Sequence, residues 1–170
     1  MSDAITAADA EPPAVLVGID PGTATGLAAV DAATGAVLAV DSFAPLAAVR
    51  HLEALARDGR LAGAYVEDAR ALPIYARHRG ANRGQRDRIA RGVGAVDCLT
   101  GLILDLLDSL EVPVQTVEPV RAAKWTAEDA ERVTGYAGRS NEHGRDALRH
   151  VYGRSAPRPL LSTRGGAPAA

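Results

Sequence analysis

Four side chains in this sequence have the types and spacing of a metal centre. Asp20 ends the apolar run at residues 15–19, and Glu67 ends a second apolar run at 64–66. His143 and Asp146 lie three positions apart in a predicted helix, a spacing that places both on one helix face. Carboxylates gathered in one place resist joint ionisation unless a cation neutralises them. Oxygen ligands of this kind favour Mg²⁺, with Mn²⁺ as the alternative, over zinc.

Asp68 directly follows Glu67, and the two acids are expected to have different partners. Neighbouring side chains on a strand point to opposite faces of the sheet, so one of them should join the site. We expect Glu67 to be the ligand and Asp68 to pair with a nearby arginine or cap a turn.

A strongly basic stretch follows these acids. It contains one acid, Asp87, and seven arginines: Arg70, Arg77, Arg79, Arg83, Arg86, Arg88 and Arg91. Arginine donates forked hydrogen bonds to phosphates, which supply most of the sequence-independent affinity for nucleic acid. A solvated helix face is the alternative, but the position next to Glu67 favours contact with nucleic acid. Lys124 is a further candidate for phosphate contact, with a solvated surface lysine as the alternative.

Composition indicates one globular domain of ordinary size. The chain has 170 residues, a net charge of -2 and a single cysteine, so no internal disulfide can form and a reducing compartment is expected. The first residues carry acids and lack a basic leader region, and no apolar run reaches the length of a membrane span. We therefore expect a cytoplasmic protein without a membrane association.

The order of apolar runs and turns predicts an α/β fold that can bring the acids together. Strands are predicted at 14–20, 25–31 and 36–43, separated by turns, which suggests an antiparallel meander. A helix at 45–57 leads to a strand at 64–67 that should run parallel to the first. A long helix at 89–110, a short strand at 113–117 and a closing helix at 142–152 follow, with Gly92 and Gly94 interrupting the start of the long helix.

Four motifs in this order resemble those of a known family. They are Gly18-Ile-Asp-Pro-Gly-Thr-Ala-Thr-Gly26, Val66-Glu-Asp-Ala-Arg70, Arg91-Gly-Val-Gly-Ala-Val96 and Thr134-Gly-Tyr-Ala-Gly-Arg-Ser-Asn-Glu-His-Gly-Arg-Asp-Ala147. The sequence resembles the RuvC-type Holliday junction resolvases of the ribonuclease H-like superfamily and looks most like the compact versions of phages and prophages. The resemblance covers roughly residues 15–153.

The resemblance implies a fold, a site and a substrate. The fold would be ribonuclease H-like, with a five-stranded mixed sheet flanked by helices in a nuclease domain at 13–153. Residues 1–12 would be flexible, and the tail at 154–170 would be mobile or, alternatively, a docking arm. The working unit would be a homodimer that cuts a four-way DNA junction, because two related active sites match the junction's symmetry.

In such a nuclease the site would hold two metal ions for phosphodiester hydrolysis. Asp20 would bridge both ions, Glu67 and Asp146 would hold one each, and His143 would ligate a metal, orient the attacking water or shuttle its proton. Tyr75 matches loosely an aromatic residue that wedges into the junction, and packing against the domain is an equal alternative for it.

Three other functions fit parts of the pattern. The segment Asp20-Pro-Gly-Thr23 also resembles the phosphate loop of actin-like kinases and ATPases, but those proteins need a second domain, so no nucleotide cofactor is expected. A YqgF-like nuclease acting on RNA, or a nuclease acting on other branched DNA, would fit the same acids. A branched-DNA-binding protein without catalysis is disfavoured, because carboxylates would not gather without a cation.

Overall fold

A computed structural model describes residues 12–70, 82–120 and 122–158 of the chain, and the side chain of Arg83 lies outside the described part. Its strands are β1 (Val15–Asp20), β2 (Thr25–Asp31), β3 (Val37–Phe43), β4 (Leu61–Glu67) and β5 (Val114–Val117). Its helices are α1 (Pro45–Arg57), α2 (Arg83–Ser109), α3 (Ala127–Thr134) and α4 (Glu142–Val151).

The strands form one mixed sheet in the order β3-β2-β1-β4-β5. β1, β2 and β3 pair antiparallel, whereas β4 pairs parallel to β1 and to β5. This arrangement confirms the predicted meander, the parallel return of β4 and the five-stranded mixed sheet. The carboxyl ends of β1 and β4 meet at the same sheet edge, which places Asp20 and Glu67 close together.

Helices cover both faces of the sheet because the central strands are apolar on both faces. Val17 and Ile19 of β1 pack with Leu52 of α1 and with Ile103 and Leu107 of α2. On the opposite face, a second core combines strand residues with α3 and α4; it contains Leu16, Ala28, Val30, Val40, Tyr65, Ala130, Ala147, Leu148 and Val151. The alternation of β1 side chains between two cores follows from the strand period of two.

α4 packs unusually close to β1 and β2, and two glycines make this approach possible. A Cβ added at Gly18 would lie 2.0 Å from the carbonyl oxygen of Ala147. A Cβ added at Gly26 would lie 2.0 Å from the carbonyl oxygen of His143. Any side chain at either glycine would push the helix away. Because both side chains are absent, α4 can place His143 and Asp146 against the end of β1.

α2 begins earlier than the sequence pattern predicts. We expected a start at Ile89, but the helix begins at Arg83, where the side chain of Asn82 accepts a hydrogen bond from the backbone of Gln85 and Gln85 reciprocates in a capping box. Gly92 and Gly94 therefore lie inside the helix, and they do not interrupt its start.

None of the described helices combines the length and the apolar content of a membrane span.

Packing of the chain continues beyond the end of α4. The hydroxyl of Tyr65 donates a 2.6 Å hydrogen bond to the carbonyl of Ser155, and the guanidinium of Arg154 lies 4.8 Å from the centre of the Tyr65 ring. Pro157 is buried against Gly63. The predicted tail thus contacts β4 through Arg154, Ser155 and Pro157, and its residues 159–170, like residues 1–11, lie outside the described part.

Candidate active site

The three predicted metal-binding acids line one cavity at the carboxyl edge of the sheet. Asp20 comes from the end of β1, Glu67 from the end of β4 and Asp146 from the first half of α4. The cavity measures about 230 Å³, and its lining consists of Asp20, Glu67, Pro119, Val120, Lys124, His143, Asp146 and His150. Three elements that are distant in the sequence thus bring Asp20, Glu67, His143 and Asp146 together, and Lys124 joins them from the segment before α3.

Asp20 is the most enclosed of the acids and has a histidine partner. Its side chain is 15% exposed, and Oδ2 lies 3.1 Å from Nδ1 of His143. Burial raises the pKa of Asp20 above its ordinary value, the hydrogen bond from His143 lowers it, and the charges of Glu67 and Asp146 raise it again. An ionised Asp20 can only accept a hydrogen bond, so Nδ1 of His143 then carries the proton.

Glu67 also has a histidine partner, His150, and sequence reasoning missed this residue. Oε2 of Glu67 lies 2.9 Å from Nε2 of His150, a residue that is 1% exposed. The signal was present in the spacing, because His143, Asp146 and His150 follow an i, i+3, i+7 pattern that places all three on one face of α4.

Asp146 lies between two cationic side chains. Its Oδ2 is 3.1 Å from Nζ of Lys124, and its Oδ1 is 3.9 Å from a terminal nitrogen of Arg149. Lys124 also pairs with Glu142, and these two carboxylates raise the pKa of its ammonium, the Glu142 hydrogen bond being the larger cause. The guanidinium of Arg149 is mostly buried and lies 5.6 Å from the centre of the Trp125 ring.

Asp68, the residue directly after β4, does not line this cavity, in agreement with the expectation that only one of the two neighbouring acids joins the site. Its carboxylate accepts hydrogen bonds from Nε and a terminal nitrogen of Arg70 at 2.9 and 2.7 Å. These bonds lower the pKa of Asp68 below its ordinary value. Arg70, predicted to contact DNA, is therefore engaged with Asp68 in this structure.

The chemistry of the donor set fits a divalent cation. Three carboxylates share one cavity, and burial together with the neighbouring charges makes ionisation of Asp20 unfavourable until a cation compensates it. In the described residues, however, no three histidine, cysteine or acidic side chains are gathered closely enough to hold an ion as they stand. Each acid instead has a nearby basic partner, namely His143, His150 or Lys124.

The described part of the basic stretch lies on the first half of α2. Arg86, Arg88 and Arg91 are exposed, and α2 begins after the segment that follows Glu67. Their side chains are accessible to a large anionic ligand. Tyr75, Arg77 and Arg79 lie outside the described residues, as does the side chain of Arg83.

Two solved structures of RuvC from Thermus thermophilus are similar to this chain. One is RuvC in complex with a Holliday junction substrate, at 22% sequence identity and a TM-score of 0.47, covering 81% of this chain and 89% of that one. The other is a structure of Thermus thermophilus RuvC, also at 22% identity and a TM-score of 0.47, covering 80% and 90% of the two chains. The sequence matches no protein-family model and no curated protein.

Proposed function

We propose that this protein is a Mg²⁺-dependent, structure-selective endonuclease that cuts four-way DNA junctions. One observation carries the proposal: Asp20, Glu67 and Asp146, from β1, β4 and α4, line a single cavity. Acids that serve only packing or solubility would be dispersed over the surface, because buried carboxylates are unfavourable without a compensating charge.

The three acids would hold the metal, for which two ions are the working hypothesis. Bound Mg²⁺ would neutralise charge on the phosphate and make a water nucleophilic near neutral pH. Asp20 lies at the end of β1, which is next to β4 in the sheet and beneath α4. It could therefore bind one ion together with Glu67 and the other together with Asp146. Metal binding would require the carboxylates to give up some of their contacts with Lys124, His143 and His150.

His143 is suited to move a proton during cleavage. Its Nδ1 faces Asp20, so Nε2 is the atom that remains to exchange a proton with water or with the leaving oxygen. The side chain is 45% exposed, so the ring can reach a substrate that enters the cavity. Asp20 would then orient the ring and stabilise its protonated form.

The DNA-binding surface would combine α2 with Lys124. Arg86, Arg88 and Arg91 are exposed on α2, and Lys124 lines the cavity itself. Guanidinium groups on the surface suit the phosphates of the junction arms, whereas a cation in the cavity suits the phosphate that is cut. The four sequence motifs that resemble RuvC-type resolvases favour a four-way junction as the substrate and a homodimer as the active form.

A cleavage assay on labelled DNA tests this proposal. Wild-type protein, Asp146→Asn and the matched control Asp108→Asn, an exposed acid on α2, would be incubated with a four-way junction, a duplex, a flap and an RNA, with and without Mg²⁺. We expect Mg²⁺-dependent, paired nicks in the junction from the wild type and the control and none from Asp146→Asn. Preferred cutting of flaps or RNA would contradict the four-way junction as the substrate. Tight junction binding without any cutting would contradict an enzymatic role.

A further inference from the structure

We propose that His150 is a positioning residue that holds the carboxylate of Glu67 in the orientation needed to bind a metal ion. The inference rests on the proposed function, in the part that concerns the metal site. It starts from the 2.9 Å contact between Nε2 of His150 and Oε2 of Glu67.

The location of His150 is unusual for a residue of its type. The buried positions of α4 are Gly144, Ala147, Leu148, His150 and Val151, and His150 is the one titratable side chain among them. A buried imidazole without a hydrogen-bond partner is unfavourable, so its partner is part of the reason it is tolerated there. That partner is a carboxylate at the cavity, where His150 links the core of the domain to the site.

The direction of this hydrogen bond follows from the chemistry of the two groups. An ionised carboxylate can only accept, so Nε2 of His150 donates to Oε2 of Glu67. Among the described residues, no other hydrogen bond to the Glu67 carboxylate is present. Oε1 is therefore the oxygen that remains for a cation in the cavity, and the bond to His150 fixes where it points.

Glu67 needs such a restraint more than the two aspartates do. Glutamate has one more rotatable bond than aspartate, and its last torsion is broad, so an unrestrained carboxylate would sample many orientations. His150 is rigidly placed because its ring is buried on a helix that packs against β1 and β2 without intervening side chains at Gly18 and Gly26. A carboxylate held in advance loses less freedom when the metal binds.

A purely structural role for His150 makes a different prediction. In that case the Glu67 carboxylate would serve only as the hydrogen-bond partner of the buried ring. Replacing the ring would then lower the stability of the fold without changing the affinity for a metal. In a positioning role, loss of the donor weakens metal binding, as partners of metal ligands generally do, by about 10- to 100-fold.

The test measures binding of Mn²⁺ alone to the full chain by titration calorimetry, together with thermal unfolding in metal-free buffer. His150→Leu removes the donor and keeps an apolar side chain of similar size. His150→Gln restores an amide donor near the position of Nε2, and His150→Asn carries the same donor on a shorter side chain. Val151→Ala is the control, since it weakens the same buried face of α4 without touching Glu67.

We expect His150→Leu and His150→Asn to bind Mn²⁺ about 10- to 100-fold more weakly and His150→Gln to stay within about threefold of the wild type. Val151→Ala should unfold at a lower temperature with unchanged affinity. If His150→Leu does not fold, the comparison of His150→Gln with His150→Asn decides the matter. Equal Mn²⁺ affinity in His150→Gln and His150→Leu, or in His150→Gln and His150→Asn if the leucine variant does not fold, would overturn the positioning role.

The same titration separates this inference from the proposed function. A wild type that binds Mn²⁺ but cuts no junction would contradict the proposed substrate, and the His150 variants would still decide the positioning role. A wild type that binds no Mn²⁺ would overturn both the positioning role and the metal-dependent chemistry.

Discussion

The imidazole of His143 and the carboxylate of Asp20 meet at 3.1 Å, although the residues lie 123 positions apart in the chain. The contact joins the first strand to the last helix, and Glu67 meets His150 of the same helix at 2.9 Å. Any change that displaces α4 from β1 should therefore alter all the acid–base pairs that α4 contributes to the cavity.

Asp20→Asn should make the protein inactive and more stable. Burial raises the pKa of Asp20, so the folded state binds more protons than the unfolded state between the unfolded and folded pKa values. The free energy of unfolding contributed by Asp20 consequently falls as pH rises through that interval, and above both pKa values the ionised carboxylate is a net cost. We expect cleavage to fall at least about 100-fold, because a metal contributes several kcal/mol of transition-state stabilisation.

Calorimetric unfolding in metal-free buffer from pH 4 to pH 8 checks the stability of Asp20→Asn. Its melting temperature should exceed that of the wild type, by a margin that grows as pH rises above the ordinary aspartate pKa and then levels off. Asp108→Asn on the surface of α2 is the control. A margin that does not vary with pH would show that Asp20 is not destabilised by its ionisation.

Gly26→Ala should destabilise the fold and slow cleavage together. Its Cβ would lie 2.0 Å from the carbonyl oxygen of His143, so α4 has to move, and overpacking of this kind costs about 1–3 kcal/mol or more. Denaturant unfolding measures the first effect and junction cleavage the second. The control is Gly92→Ala, where a Cβ meets no atom within 4 Å and where alanine should stabilise the helix by about 0.5–1 kcal/mol. A Gly26→Ala variant with wild-type activity would show that the close approach of α4 is dispensable.

Lys124→Gln should bind metal more tightly yet cut more slowly. The ammonium of Lys124 lies 3.1 Å from Oδ2 of Asp146, so it competes with a cation for that carboxylate. Because the lysine side chain is 57% exposed, we expect affinity for Mn²⁺ to rise only about two- to fivefold and the melting temperature to change little. Cleavage should fall because the positive charge next to the scissile phosphate is removed.

Calorimetric titration and single-turnover cleavage separate the two effects of Lys124→Gln. Glu142→Gln is the matched control, since it removes the other partner of Lys124 and leaves the pair with Asp146 intact. Weaker Mn²⁺ binding by Lys124→Gln would mean that the lysine supports the metal site instead of competing with it.

Alanine at Arg86, Arg88 and Arg91 should weaken DNA binding in a salt-dependent way. For each phosphate of a duplex arm that an arginine no longer neutralises, the slope of log affinity against log salt concentration should decrease in magnitude by about 0.9. Junction binding measured between 50 and 200 mM salt reports this slope. Arg57→Ala is the control, because Arg57 ends α1 at the opposite edge of the sheet from Asp20 and Glu67. An unchanged slope in the triple variant would place the DNA on another surface.

Most of the elements could be predicted from the sequence because they depend on local patterns. Strands β1 and β2 have apolar runs bounded by turn residues, and α1 has a helical period that starts at Pro45 and ends before Asp58-Gly59. The start of α2 was predicted six residues late, since glycines and arginines conceal a helical period. The capping box of Asn82 and Gln85 was the local signal that would have placed it correctly.

The sequence by itself determined the identity of the acids and the elements that bear them, because strand ends and helix spacing are local properties of the chain. Only the tertiary structure decided the partner of each acid: His143 for Asp20, His150 for Glu67 and Lys124 for Asp146. These partners come from α4 and from the segment before α3, and their positions depend on how closely α4 packs over the glycines of β1 and β2. Such contacts form between residues far apart in the chain, so local spacing places His143, Asp146 and His150 on one face of α4 but does not encode which acid each histidine meets.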